Sequence, residues 1–254
     1  MTMRLGILSL CFAALTGSVN AQISAPDTIR TSKGPLAIQP VEHASLVLSA
    51  AGTVIYADPA GKTDKFKGLA APDIILITDI HGDHFDSVAI SSLKTSKTRL
   101  IVPQAVADKL PASYKPMVTV LKNFGVTTEN GITINAIPMY NLPETPDSKH
   151  PKGRGNGYII TVGGVRIYIS GDTQGIPEMR SLRNINVAFV CMNLPYTMDV
   201  PEAADAVLAF KPRIVYPYHY RGAKGLSDVK AFKEKVNAGN KNIEVRLRNW
   251  YPQM

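Results

Sequence analysis

Apolar residues in this chain fall into short runs, many of them β-branched, punctuated by Gly, Pro, Asn and Asp. That rhythm belongs to strands rather than to long amphipathic helices. Runs at 36–41, 44–48 and 53–57 predict three strands, with Ala51-Gly52 turning between the last two. Residues 72–78 (Pro72-Asp73-Ile74-Ile75-Leu76-Ile77-Thr78) are apolar at consecutive positions and predict a strand covered on both faces. A short helix over 87–93, a strand over 98–102 and a helix over 103–110 with proline at its start come next. Strands are expected at 117–121 and 131–139, then a long loop over 141–157 rich in Pro, Gly and charge. Runs 158–162 and 165–169 form a hairpin across Gly163-Gly164. Strands at 187–192 and 213–216 enclose a helix at 201–210, and a helix at 227–238 precedes a last strand at 243–247. Hairpins followed by alternation with helices, twice over, predict an α/β (α+β) chain of two packed sheets with helices outside.

Length and composition allow one well-buried core: 254 residues, 45% hydrophobic, with no repeat or linker to mark a boundary. The formal net charge of +8 favours an anionic substrate or surface, and the absence of a Lys-Arg block speaks against nucleic acid. Residues 1–21 read as a secretory signal peptide, with Arg4 at the positive end and an apolar stretch at 5–15. Val19-Asn20-Ala21 offers small residues for cleavage before Gln22, and the apolar run is too short to span a bilayer. Leu10 before Cys11 does not suit a lipoprotein site. The expected product is a single domain over 22–254 in a periplasm or outside the cell, with Cys191 buried, inert and without a disulfide partner.

Chemistry is concentrated in Asp79-Ile80-His81-Gly82-Asp83-His84, directly after the buried strand. Asp79, His81 and Asp83 alternate and would share one side of an extended segment, while His84 turns elsewhere. One loop could then serve two ions. Three further places could supply ligands: His150 in the long loop, Asp172 after the strand 165–169, and His219 after the strand 213–216. Two of these sit at strand ends, as the loop does, so all could converge on one sheet edge.

Thr78-Asp79-Ile80-His81-Gly82-Asp83-His84 resembles the Thr-His-x-His-x-Asp-His signature of the metallo-β-lactamase-fold hydrolases. Glu42-His43-Ala44-Ser45, Asp58-Pro59, Tyr140-Asn141, His150-Pro151, Gly171-Asp172-Thr173 and Pro217-Tyr218-His219-Tyr220 continue the likeness over residues 36–222. In this order they resemble the branch holding ascorbate-6-phosphate lactonase and N-acyl-phosphatidylethanolamine phospholipase D more than true β-lactamases. The resemblance implies a four-layer αββα sandwich of two mixed sheets flanked by helices. It places Asp79, His81 and His150 on one divalent ion, Asp83, His84 and His219 on another, and Asp172 between them.

Asp79 departs from the signature, which has histidine there. With two divalent ions, three aspartates and a bridging hydroxide the site is formally neutral, one charge below the histidine version. Zn²⁺ is the expected ion, with Mn²⁺ or Fe²⁺ better suited to the extra carboxylate. The implied activity is hydrolysis of an ester, lactone or phosphodiester by a metal-bound hydroxide, with Asp83 also orienting it or passing a proton. A β-lactam hydrolase and a non-catalytic metal-binding or ligand-sensing protein are the alternatives. His43 and Asp58 are expected to line the pocket or orient ligands. Lys149, Lys152 and Arg154 could grip an anionic group, and Tyr140, Asn141, Tyr196, Tyr218 and Tyr220 could wall the pocket.

Exported protein should begin at Gln22. N-terminal sequencing of the periplasmic fraction checks this, and an intact Met1 in that fraction would exclude it.

Overall fold

The computed structural model describes residues 25–145 and 147–252, so the predicted signal peptide lies outside the described residues. The strands assemble into two main sheets, as the apolar pattern and the family resemblance both imply, and each has seven strands. The first sheet runs in chain order: β1 (Asp27–Thr31), β2 (Gly34–Glu42), β3 (Ser45–Ala50), β4 (Thr53–Ala57), β5 (Ile74–Leu76), β6 (Arg99–Val102) and β7 (Val118–Val120). Pairing is antiparallel from β1 to β4 and parallel from β4 to β7.

The second sheet repeats that plan. β8 (Val126–Glu129), β9 (Ile132–Met139), β10 (Gly155–Val162) and β11 (Val165–Ile169) pair antiparallel. β12 (Val187–Cys191), β13 (Ile214–Tyr218) and β16 (Glu244–Val245) then continue in parallel, while β14 (Arg221–Gly222) and β15 (Gly225–Leu226) form a separate small hairpin.

Alternation along the strands decides which layer each residue joins. Leu46, Leu48, Ile74, Leu76 and Ile101 point to the main core shared with Ile132, Ile134, Ile160 and Ile167 of the second sheet. Their neighbours Val47, Ile75, Ile77 and Leu100 face the other way, onto Ile90 of α1 (Ser87–Leu93) and Val106 of α2 (Gln104–Ala107). The second sheet's outer layer is α3 (Pro177–Arg180), α4 (Val200–Phe210) and α5 (Val229–Gly239), contributing Met179, Ala203, Val207, Phe210, Phe232 and Val236. Four layers result, and β5 is buried on both faces.

Several boundaries differ from the sequence pattern for local reasons. The helix expected over 103–110 is α-helical only at Gln104–Ala107, then continues as single turns (Lys109 N–H to Val106 O, 3.0 Å; Leu110 N–H to Ala107 O, 3.2 Å). β10 begins at Gly155, three residues inside the expected loop, because Gly155 already pairs with Met139. β1 and β8 are half-exposed edge strands with little apolar signal. β8 could still have been found, since Asn130-Gly131, both at positive φ, is a strong two-residue hairpin turn.

One end of the molecule collects the segments that matter. There β4, β5, β11 and β13 finish, and the β2–β3 and β9–β10 connections lie beside them by antiparallel pairing (Leu46 opposite Ala57, Tyr158 opposite Ile169). The two sheets are joined at this end: the Asn156 N–H donates to Thr78 O (2.9 Å), the Tyr158 hydroxyl to Ile77 O (2.8 Å), and the His219 N–H to His43 O (3.2 Å). Gly171 turns the chain out of β11 with φ of 61°, where an added Cβ would lie 2.5 Å from Met139 Sδ and 3.1 Å from Thr78 Cβ. Gly171→Ala is therefore expected to cost about 1–3 kcal/mol, from backbone strain and crowding together. Urea unfolding measures it, and an unchanged midpoint would rule out strain in this turn.

Candidate metal centre

Each chemical side chain at this end sits on a strand exit or a short connection. His43 joins β2 to β3, Asp58 follows β4, and His219 follows β13; all three have positive φ (55°, 45° and 47°). Non-glycine residues rarely adopt that conformation, and where they do the surrounding structure must hold them. The loop Asp79 to His84 leaves β5, Asp172 follows β11, and His150 hangs from the β9–β10 connection.

These residues form one cluster at the end of the sandwich. His84 Nε2 lies 3.1 Å from His219 Nε2 and 3.3 Å from Asp172 Oδ2. Asp172 Oδ1 is 3.2 Å from His219 Nε2, and its Oδ2 is 3.2 Å from His150 Nε2. On the other side His81 Nδ1 is 2.9 Å from Asp79 Oδ2, and His150 Nε2 is 4.0 Å from that same oxygen. Among the described residues three groups could each hold an ion, two of them sharing His219: Asp79, His81 and His150; His84, Asp172 and His219; and His43, Asp83 and His219. Asp172 thus faces both halves, one carboxylate oxygen toward His150 and His84, the other toward His219.

Surrounding groups set which nitrogen points inward. Asp58 is buried and accepts from the Thr78 N–H (2.7 Å), the Thr78 hydroxyl (2.6 Å) and His84 Nδ1 (2.8 Å). A proton on Nδ1 leaves the Nε2 lone pair of His84 free to coordinate. Asn141 does the same for His150, its Oδ1 accepting from the His150 N–H (2.9 Å) and facing Nδ1 at 3.0 Å. The Ser45 hydroxyl donates to Asp58 O (2.5 Å) and ties the two strand exits together.

The donors fit a metal ion. Nitrogen and oxygen ligands about 2.0–2.1 Å from a tetrahedral ion stand roughly 3.3 Å apart, close to the separations in the His84, Asp172 and His219 group. His150 Nε2 and Asp172 Oδ1 are buried with no hydrogen-bond partner, although each approaches the other side chains closely. Close approach without alignment is what lone pairs aimed at a shared cation produce. Electrostatics agree. Burial alone would raise the Asp172 carboxyl, yet His219 and His84 hold it well below its usual range. Burial would likewise lower His84, yet Asp172 and Asp58 raise it well above the ordinary imidazole value. The cluster requires positive charge at its centre, which a divalent ion supplies without a proton.

The beta-lactamase superfamily domain family matches residues 37–219. A UPF0173 metal-dependent hydrolase of Pyrococcus furiosus is 32% identical over 182 residues, covering 70% of this chain and 78% of its own. The chain belongs to this superfamily of metal-dependent hydrolases. Among solved structures, one from Parabacteroides distasonis described as a metal-dependent hydrolase superposes with a TM-score of 0.78 at 38% identity. It covers 88% of this chain and 97% of its own. Igni18, a metallo hydrolase of Ignicoccus hospitalis, has a TM-score of 0.70 at 21% identity over 84% of this chain and 95% of its own, and shares the fold.

In the hydrolase all seven candidate ligands from the sequence lie together, while the residues expected to line the pocket divide. A cleft of about 330 Å³ is lined by His81, Asp83, Lys149, His150, Asp172, Asn193 and Tyr196. Tyr140 and Tyr218 do not wall it: both are buried beneath, the Tyr140 hydroxyl donating to Glu178 (2.9 Å) and the Tyr218 hydroxyl accepting from the Gly171 N–H (3.0 Å). Tyr220 is also buried, its hydroxyl on Arg248 O. Lys152 turns away to Glu144 (3.0 Å) and the face of Tyr140, and Arg154 grips Asp79 instead of open solvent.

Two contributors escaped the sequence pattern: Asn193 on the cleft wall and Tyr251, which acts through His43 on Asp83. Asp83 is half-exposed, and its Oδ2 faces His43 Nε2 at 3.1 Å and His219 Nε2 at 3.4 Å. Burial works against ionisation of Asp83, but hydrogen bonds from His219 and His43 hold its carboxyl far below the usual range. An ionised Asp83 only accepts, so His43 Nε2–H donates to it and His43 Nδ1 accepts from the Tyr251 hydroxyl (2.7 Å). Burial keeps His43 neutral, its pKa lowered to about 4. Tyr251 reaches this position because the adjacent Trp250 is fully buried against Phe189 and Tyr218. The signal for Tyr251 was an aromatic pair in an otherwise polar C-terminal stretch.

Asp58→Ala should lower metal affinity about 10–100-fold by freeing the His84 ring, with the fold retained. Zn²⁺ content after dialysis against a weak chelator, beside a circular-dichroism spectrum, checks it; full retention of metal would show that Asp58 does not orient His84.

Proposed function

We propose that this hydrolase is exported, holds two divalent ions, Zn²⁺ foremost, and cleaves an ester, lactone or phosphodiester of an anionic small molecule. One observation carries the reading: the ligands from both sheets meet at the floor of an open cleft, with Asp172 facing both halves. Asp79, His81 and His150 are the ligands of one half, and Asp83, His84 and His219 those of the other. Ions held by these residues would supply a water acidified toward neutral pH and a Lewis acid for the substrate oxygen.

The chain's own residues supply positioning and proton handling. Asp83 is the half-exposed carboxylate of the cluster and lines the cleft; His43 and Tyr251 restrain its Oδ2, and Oδ1, 3.9 Å from His84 Nε2, is the oxygen left to orient a nucleophile or pass a proton. Lys149 is the cation on the cleft wall that an anionic group of substrate would meet. Tyr196, partly exposed, and Asn193 also line the cleft and bound the substrate's size. Residues 1–21 carry the export proposal.

Protein stripped of metal is expected to lose activity on a panel of esters, lactones and phosphodiesters and to regain it on adding Zn²⁺ or Mn²⁺. Asp83→Asn should lower turnover about 10²–10⁴-fold, and Lys149→Glu should raise KM for anionic substrates while leaving neutral ones unaffected. Activity on nitrocefin alone would replace this substrate class by β-lactams. No turnover on any of these by metal-replete protein would sink the proposal.

A further inference from the structure

Asp79 differs from the other buried carboxylate of the centre. His150 Nε2 and Asp172 Oδ1 have no hydrogen-bond partner, whereas both Asp79 oxygens are engaged by one guanidinium. Arg154 Nε donates to Oδ1 (3.1 Å) and Nη2 to Oδ2 (2.9 Å), a two-point contact that matches the carboxylate fork. The guanidinium is itself held, since Nη2 also donates to Lys149 O (2.6 Å), and it stands 3.4 Å from His81 Nε2.

The two halves of the centre therefore present different fields to a cation. Around His84, Asp172 and His219 the contacting side chains are imidazoles and carboxylates, with Asp58 behind His84. Around Asp79, His81 and His150 a permanent positive charge lies within hydrogen-bond distance of the ligand carboxylate. It competes for the same lone pairs and repels any second cation placed there. Arg154 also keeps the Asp79 carboxylate in place, so this half is preformed.

Building on the hydrolase reading above, we propose that Arg154 makes the metal centre unequal: the His84–Asp172–His219 half binds its ion tightly, and the Asp79–His81–His150 half binds a second ion loosely, with Arg154 setting that affinity. The second ion then exchanges with free metal while the first is resident.

Zn²⁺ titration of the chelator-stripped full chain, followed by competition with a chromophoric chelator, tests this without reference to substrate. Wild type should show two steps, the second at least tenfold weaker. His81→Ala should remove the weak step and His219→Ala the strong one. Arg154→Gln should tighten the weak step about tenfold and leave the strong step within twofold, while Arg154→Lys, which keeps the charge, should stay near wild type. Co²⁺ absorption spectra at one and two equivalents give an independent count of filled halves. Two equal steps in wild type, the reverse assignment by the histidine variants, or a folded Arg154→Gln with an unchanged or weaker second step would each overturn the proposal. Should Arg154→Gln not fold, the wild-type and histidine titrations decide alone. Two equal sites would leave the hydrolase reading intact, whereas no Zn²⁺ binding would end both.

Discussion

Everything at the active end depends on keeping imidazoles and carboxylates buried at mutual distances of about 3 Å without letting them neutralise one another by proton transfer. Burying ionised groups is costly unless charge and hydrogen bonding are matched. Here the matching is done from outside the cluster: Asp58 fixes His84, Asn141 fixes His150, and the Tyr251–His43 pair fixes Asp83. Each contact leaves a lone pair pointing inward. The inward lone pairs are what make the site a metal centre and not merely a polar core.

The fold makes that convergence possible because its two sheets follow one plan. Each begins with antiparallel strands and ends with parallel ones, so the parallel strands of both deliver their ends to the same edge. The first sheet brings Asp58 and the loop Asp79 to His84; the second brings Asp172 and His219. The seam between them is closed by backbone contacts at Thr78 and His43, adjacent to the ligands themselves. Small shifts between the sheets would therefore separate the ligand sets. Positive φ at His43, Asp58 and His219 is the local cost of turning segments of the chain sharply enough to meet, and Gly171 makes the fourth such turn without that cost.

Legibility in the sequence followed physical range. The buried strand at β5 and its loop were readable because consecutive apolar residues and a dense run of ligand types are local signals. The convergence of His150, Asp172 and His219 was readable only as a shared position at strand ends and through the family likeness. Edge strands β1 and β8 were missed because half-exposed strands carry little apolar pattern. Tyr218 pointed inward because alternation along β13, not residue type, decides which face a side chain takes; Tyr140 and Tyr220 lie just past strand ends and are buried with their hydroxyls on Glu178 and Arg248 O. The partner of Tyr251 was not legible for a different reason: the aromatic pair Trp250-Tyr251 stands out locally, but Tyr251 acts across 208 positions of sequence.

Asp79 and Arg154 carry this long-range dependence furthest. Read locally, aspartate at position 79 takes one positive charge away from the site and points toward harder ions. In the folded chain Arg154, 75 positions away, returns that charge at hydrogen-bond distance. Together the two residues have the net charge of a neutral imidazole while differing from it in kind, because the carboxylate is shared between a guanidinium and whatever lies in the centre. The overall charge argument for a harder metal therefore weakens. What replaces it is an asymmetry between the two halves, since compensation by Arg154 falls on one side of Asp172 only. A substitution in a ligand position is thus read correctly only with the charge that packs behind it.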